Sequence, residues 1–137
     1  MLTELTPEIR VFLEEAKWPG ILSTLSPAGA PITSAVWFAV DGEEIVISTP
    51  ATRPKARNAR LDSRVSFIVD TKERPYRGVA IEGVARVDED NGKREMRTIA
   101  ERYLGPILPA AMEERIAAMD RVVLRIRPTR VRPWGFG

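Results

Sequence analysis

A small antiparallel β-barrel with peripheral helices is the fold class that this 137-residue chain predicts. Three observations carry the prediction. Six short stretches are rich in β-branched and apolar residues, most are separated by tight-turn signals, and helical periodicity is confined to the start, the middle and one later pair of segments. A doubly wound parallel sheet needs a helix after nearly every strand, which this order does not supply.

Thr6 is placed to cap a first helix, with Pro7 at its first position, Glu8 in its first turn, and Ile9, Phe12, Leu13 and Ala16 at helical spacing. This helix is expected to end near Lys17, before Trp18-Pro19-Gly20. GILSTL then reads as a strand and SPAGA as a turn. PITSAVWFAV reads as a second strand with Ile32, Ser34, Val36, Phe38 and Val40 on one face, so a hairpin follows. Asp41-Gly42 supplies the next turn, and EIVIST is a third strand. It leads into STPATRPKARNARLD, residues 48 to 62, a basic helix if Pro54 opens it. RVSFIVD and GVAIEGVARVDED are the fourth and fifth strands, the latter with Val79, Ile81, Ala85 and Val87 on a common side. Residues 92 to 104 and 109 to 119 are helical by composition and spacing, parted by Gly105, Pro106 and Pro109. DRVVLRIRPTRVRPWGFG closes the chain as a sixth strand and a proline-punctuated tail. No repeat, low-complexity tract or linker divides the sequence, so residues 1 to 137 are expected to form one domain.

The chain has no cysteine and no histidine. That removes disulfides, thiolate nucleophiles, iron–sulfur clusters, Cys or His zinc sites, His-ligated haem and every triad built on His. No metal site is expected. A hydrophobic fraction of 44% with 29% charged residues is ordinary for a soluble protein, and no apolar run nears the roughly 20 residues of a membrane span. The acidic, amphipathic N-terminus lacks a signal-peptide pattern, so the expected location is the cytoplasm, with no membrane partner.

Net charge is +2, but it is unevenly spread: residues 1 to 50 carry −5 and residues 51 to 137 carry +7. Two clusters stand out, Arg53, Lys55, Arg57, Arg60 and Arg64, then Arg121, Arg125, Arg127, Arg130 and Arg132. In the first, Arg53 and Lys55 fall in the opening turn of the basic helix, where the dipole disfavours cations by a few tenths of a kcal/mol each, roughly. An anion bound there reverses the sign. A phosphate would accept backbone N–H groups and charge-assisted bonds from Arg53 and Lys55, with the Ser48 and Thr49 hydroxyls adding neutral donors. A solvated helix face is the bland reading of the same charges. Nucleic acid is disfavoured because no aromatic residue lies between Phe38 and Phe67 to offer a stacking platform. The C-terminal arginines alternate with Val122, Leu124 and Ile126, as on the solvent or subunit face of a half-buried strand.

The stretch GAPITSAVWFAVDGEEIVISTPATRPKARNARLDSRVSFIVD, followed by PYRGVAIEGVARV, resembles the FMN-binding split-barrel proteins related to pyridoxamine 5′-phosphate oxidase. It is more similar still to their branch that uses the deazaflavin coenzyme F420. The resemblance covers about residues 5 to 135, and its most specific parts are STxxxRxKxRN and RPTRVRPWG. It implies a six-stranded antiparallel split β-barrel, a homodimer with cofactor clefts at its interface, and a small-molecule substrate. Arg53 and Lys55 then match the pair that grips the cofactor phosphate, and Arg57 and Asn58 continue that motif. Ser34, Ala35 and Val36 match the strand along the tricyclic ring; Ser48 and Thr49 match the strand end beside the phosphate-bearing tail. Tyr76 and Trp134 match positions that can border the cleft. Taken alone as residues, Trp37 and Phe38 read as core, Ser34 as a tolerated barrel position, Tyr76 as a turn aromatic and Trp134 as an anchor for the tail. The implied activity is hydride transfer from reduced F420 to an unsaturated or electrophilic small molecule. FMN in the same fold is one alternative; a non-catalytic flavin or F420 carrier is another.

Overall fold

The computed structural model describes residues 1–137 and contains four helices around a single seven-stranded sheet. The first helix, α1 (Pro7–Glu15), is capped as expected: the Thr6 hydroxyl accepts from the Ile9 N–H at 3.3 Å, and Ile9, Phe12 and Leu13 are buried. It ends two residues before Lys17. Strands β1 (Gly20–Leu25) and β2 (Pro31–Val36) form the expected antiparallel hairpin.

The second expected strand is not one strand. β2 stops at Val36, and β3 (Ala39–Asp41) starts after Trp37-Phe38, pairing with β4 (Glu44–Pro50) instead of β1. The sheet order is β2-β1-β5-β6-β7-β4-β3, so β2 and β3 lie at its two ends. Three Cα steps from Val36 to Ala39 reach at most about 11 Å. The two edges are therefore tethered close together and the sheet must coil around its core. No ladder joins β2 to β3, however, so the expected six-stranded split barrel is corrected to a seven-stranded antiparallel sheet that is not closed. The break also divides the expected common face: Phe38 is buried, whereas Ile32, on the edge strand, is 41% exposed.

The remaining elements follow in the anticipated order. They are α2 (Pro54–Leu61), β5 (Arg64–Asp70), β6 (Gly78–Asp88), α3 (Gly92–Leu104), α4 (Ala110–Ala118) and β7 (Arg121–Trp134). β6 and β7 form a long ladder interrupted by a bulge, where Glu82 faces Arg130 and Gly83 faces Pro128, leaving Thr129 unopposed. Pro128 beside that bulge is where a missing N–H is tolerated. The main core gathers Leu13, Leu22, Phe38, Phe67, Ile81 and Leu124 inside the coiled sheet. A second, smaller core of Val46, Ile99 and Val123 lies beneath α3, with Trp37, Ala39 and Tyr103 packed against it. No helix is long and apolar enough to cross a membrane.

Candidate functional site

The basic segment is brought back against the end of β4 by a turn in which the Arg53 N–H donates to the Pro50 carbonyl at 3.1 Å. Pro50 also stands opposite Arg121 in the β4–β7 ladder, so the start of β7 arrives at the same place. Between these elements and α3 lies a cavity of about 260 Å³. One end is cationic, formed by Arg53, Lys55 and Arg121. Ser48 and Thr49 contribute hydroxyls, and Ala35, Val36, Trp37, Met96 and Ile99 form an apolar wall.

The electrostatics of the cationic end are unbalanced. Several arginines outside it are paired with carboxylates: Arg60 is bidentate on Glu89 at 2.9 Å, and Arg64 reaches Asp62 at 2.7 Å. Arg125 departs from the expected solvent face altogether. Its side chain is 12% exposed and lies among Asp41, Asp88 and Glu95. Arg53, Lys55 and Arg121 make no ion pair with any carboxylate. Burial, then the neighbouring Arg53 and Arg121, hold the Lys55 ammonium below the usual lysine range. Burial and Arg53 likewise lower Arg121. The Thr49 side chain is 2% exposed and its hydroxyl has no hydrogen-bond partner.

Backbone amides contribute less than a helix start suggests. Pro54 has no N–H, and the Ala56 and Arg57 N–H groups already donate to the Arg53 carbonyl at 3.0 and 3.2 Å. Arg53 itself occupies the cap position, with no side-chain capping bond and no acidic residue in the first turn. Attraction for an anion therefore rests mainly on side-chain charge.

Of the residues anticipated from sequence, Ala35, Val36, Ser48, Thr49, Arg53 and Lys55 line this one cavity. Ser34 is half-buried on β2 opposite Leu22, outside the lining. Arg57 is exposed on α2, and Asn58 is buried with its amide donating to the Thr24 hydroxyl at 3.1 Å. Tyr76 is 57% exposed in the segment between β5 and β6, and Trp134 ends β7 opposite Gly78. Neither lines the cavity. Sequence reasoning did not assign Arg121, Trp37, Met96 or Ile99. Arg121 was hidden in an alternating arginine strand, because its partner Pro50 is known only once strands are paired. Met96, Ile99 and Tyr103 did carry a signal, a stripe at helical spacing on α3.

The sequence model of pyridoxamine 5′-phosphate oxidase matches residues 5–135. The chain belongs to the pyridoxamine 5′-phosphate oxidase family. No curated protein sequence matches it. Among solved structures, this family member is similar to the conserved hypothetical protein Rv2991 from Mycobacterium tuberculosis, at 33% identity and a TM-score of 0.77, covering 98% of this chain and 88% of that one. It is similar to an F420 reductase at 31% identity and a TM-score of 0.74, covering 93% and 98% of the two chains. A heme binding protein from Mycobacterium smegmatis is 25% identical with a TM-score of 0.67, covering 93% of this chain and 53% of that one.

Proposed function

We propose that this chain is an F420H2-dependent oxidoreductase that delivers hydride to a small unsaturated or electrophilic molecule. The observation that carries the reading is the three-cation end of the cavity, which no carboxylate balances and beside which the Thr49 hydroxyl is buried without a partner. A phosphate fits those donors: Arg53 and Lys55 would hold its charge, Arg121 would add a third cation, and Thr49 would satisfy its hydroxyl. The apolar wall suits a flat ring continuing from that phosphate. When bound, the reduced deazaflavin supplies the hydride, and the chain's own part is to bind, orient and exclude water. No carboxylate, histidine or tyrosine lines the cavity, so no side chain is assigned as proton donor. Arginine beyond one phosphate pair favours the longer anionic tail of F420 over FMN. The likeness to an F420 reductase at 31% identity supports the same choice. Haem is less well matched, because the chain has neither His nor Cys, its commonest iron ligands, and no tyrosine lines the cavity. A homodimer covering the cavity from outside, in the cytoplasm, completes the proposal.

Titration of the purified protein with F420 and with FMN, each followed by fluorescence, tests it. Arg53→Ala and Lys55→Ala are each expected to weaken F420 binding about tenfold or more, as for loss of a charge-assisted contact. Wild-type affinity in both variants rejects the phosphate site. Turnover of bound F420H2 with a panel of enones and quinones separates an enzyme from a carrier.

A further inference from the structure

Trp37 is the one aromatic side chain lining the cavity, and it is held rigidly from behind. The Tyr103 ring stacks on it with centroids 4.6 Å apart and planes 6° from parallel. Trp37 lines the cavity and Tyr103 does not, so the stacked pair runs from the cavity wall into the protein. Tyr103 is itself fixed at its hydroxyl, which donates to the Trp18 carbonyl at 3.0 Å and accepts from the Phe38 N–H at 3.3 Å. The Arg102 guanidinium lies 4.9 Å from the Tyr103 ring centre and 4.8 Å from that of Phe38, while donating to the Leu13 and Ala16 carbonyls at the end of α1. A half-buried arginine with no carboxylate partner and a doubly bonded phenol thus stand behind one half-buried indole. The same two rings also pack against the small core of Val46, Ile99 and Val123, so the stack joins that core to the cavity wall.

We infer that Trp37 is a ring platform that takes a planar, conjugated ring on its free side, with Tyr103 as the positioning residue that keeps the indole in place. This rests on the cofactor reading above and adds a contact that the phosphate site does not provide. Offset stacking against a fixed aromatic favours flat π-systems over saturated rings of the same size. The ring can belong to the cofactor or to the acceptor molecule, and both share this chemistry.

The test uses the full chain with Trp18→Phe and Trp134→Phe, which leaves Trp37 as its sole tryptophan. Riboflavin probes the ring without a phosphate, menadione probes a flat acceptor, and decalone is the saturated control of similar size. Binding is followed by Trp37 fluorescence and, for every variant including Trp37→Leu, by calorimetry. Riboflavin or menadione is expected to quench Trp37 and to bind about tenfold more weakly to Trp37→Leu. Riboflavin alone acting this way assigns the platform to the cofactor; menadione alone assigns it to the acceptor. Tyr103→Leu should reproduce the loss, and Tyr103→Phe, which keeps the stacked ring but not the two hydroxyl bonds, should restore only part of it, while affinity for inorganic phosphate stays at the parent value in all three. Equal binding of decalone, or ring affinity unchanged in Trp37→Leu, overturns the platform even if Arg53→Ala and Lys55→Ala uphold the phosphate site. Loss of phosphate dependence with ring binding intact overturns the phosphate site alone.

Discussion

Arg121 grips Ser48 twice, its Nε donating to the hydroxyl at 3.1 Å and its Nη2 to the carbonyl at 3.3 Å, across a sequence separation of 73 residues. The Ser48 hydroxyl passes its own proton on to the Gly92 carbonyl at 2.8 Å. One serine thus ties the end of β4 to the start of β7 and the first turn of α3, three of the elements that enclose the cavity. The approach at Gly92 is so close that a Cβ there would stand 2.1 Å from the Arg121 carbonyl oxygen.

Gly92→Ala therefore sets helix propensity against packing. Alanine favours a helix interior by about 1 kcal/mol and a first helical position such as this by less, whereas overlap with a fixed backbone is expected to exceed that and leave a net loss of at least about 1 kcal/mol. Urea denaturation measures the balance. Because relief of the overlap must move Arg121, phosphate affinity should fall in the same variant, and a wild-type urea midpoint would show that α3 does not press on β7 this tightly.

At Thr49 the trade between stability and binding runs the other way. Its hydroxyl is buried with no partner, so Thr49→Val removes an unsatisfied group at nearly constant shape. The ligand-free protein is expected to gain about 1 kcal/mol in thermal or chemical denaturation, since an unpaired buried hydroxyl costs roughly 1 to 3 kcal/mol. Affinity for F420 or FMN should drop by about threefold to tenfold as one donor to the anion disappears. A variant that is both less stable and equally tight in binding would mean that the hydroxyl is already satisfied in solution.

Which parts of this site could be read in the sequence follows from how local each signal is. Thr6-Pro7, Asp41-Gly42 and the Pro54 helix start act within a few residues, so the hairpins and helices they bound were legible. The break at Trp37-Phe38 was not, because alternation runs through it without interruption and only the change of partner strand, from β1 to β4, reveals it. Arg53 and Lys55 announced themselves by conflicting with their own helix dipole. Arg121 and Arg125 look identical in the alternating C-terminal strand, yet one sits unpaired by the cavity and the other is enclosed by three carboxylates. Ladder register decides between them, and register is a property of the folded sheet.

Asn58 separates a structural role from a binding one. Its amide donates to the Thr24 hydroxyl, both residues being buried, at 5% and 1% exposure. Asn58→Ala leaves that hydroxyl unpaired, so a loss of about 1 to 3 kcal/mol in unfolding free energy is expected. Phosphate and F420 affinity should stay within about twofold of the parent when measured well below the melting transition, in contrast to Arg53→Ala. A tenfold loss of affinity with unchanged stability would instead give Asn58 a direct part in holding the ligand.

Lys55 gives the site a pH dependence whose sign can be worked out. Its folded pKa lies below the ordinary lysine value of 10.5, because burial, Arg53 and Arg121 all disfavour the ammonium. Between that lowered value and 10.5 the unfolded chain holds more protons at this group than the folded chain does. Its destabilising contribution is full below the folded pKa, and stability rises as pH climbs through the window. A bound anion stabilises the ammonium and opposes the shift, so the ligand-free protein should show the rise and the phosphate-saturated protein should show less of it. Binding follows the opposite trend: phosphate affinity should decline across the same window as Lys55 loses its proton. In Lys55→Arg, whose guanidinium keeps its charge, that decline should flatten. Parallel melting curves and phosphate titrations from neutral pH to about pH 10 measure both trends, and an identical decline in Lys55→Arg would assign the titrating group elsewhere.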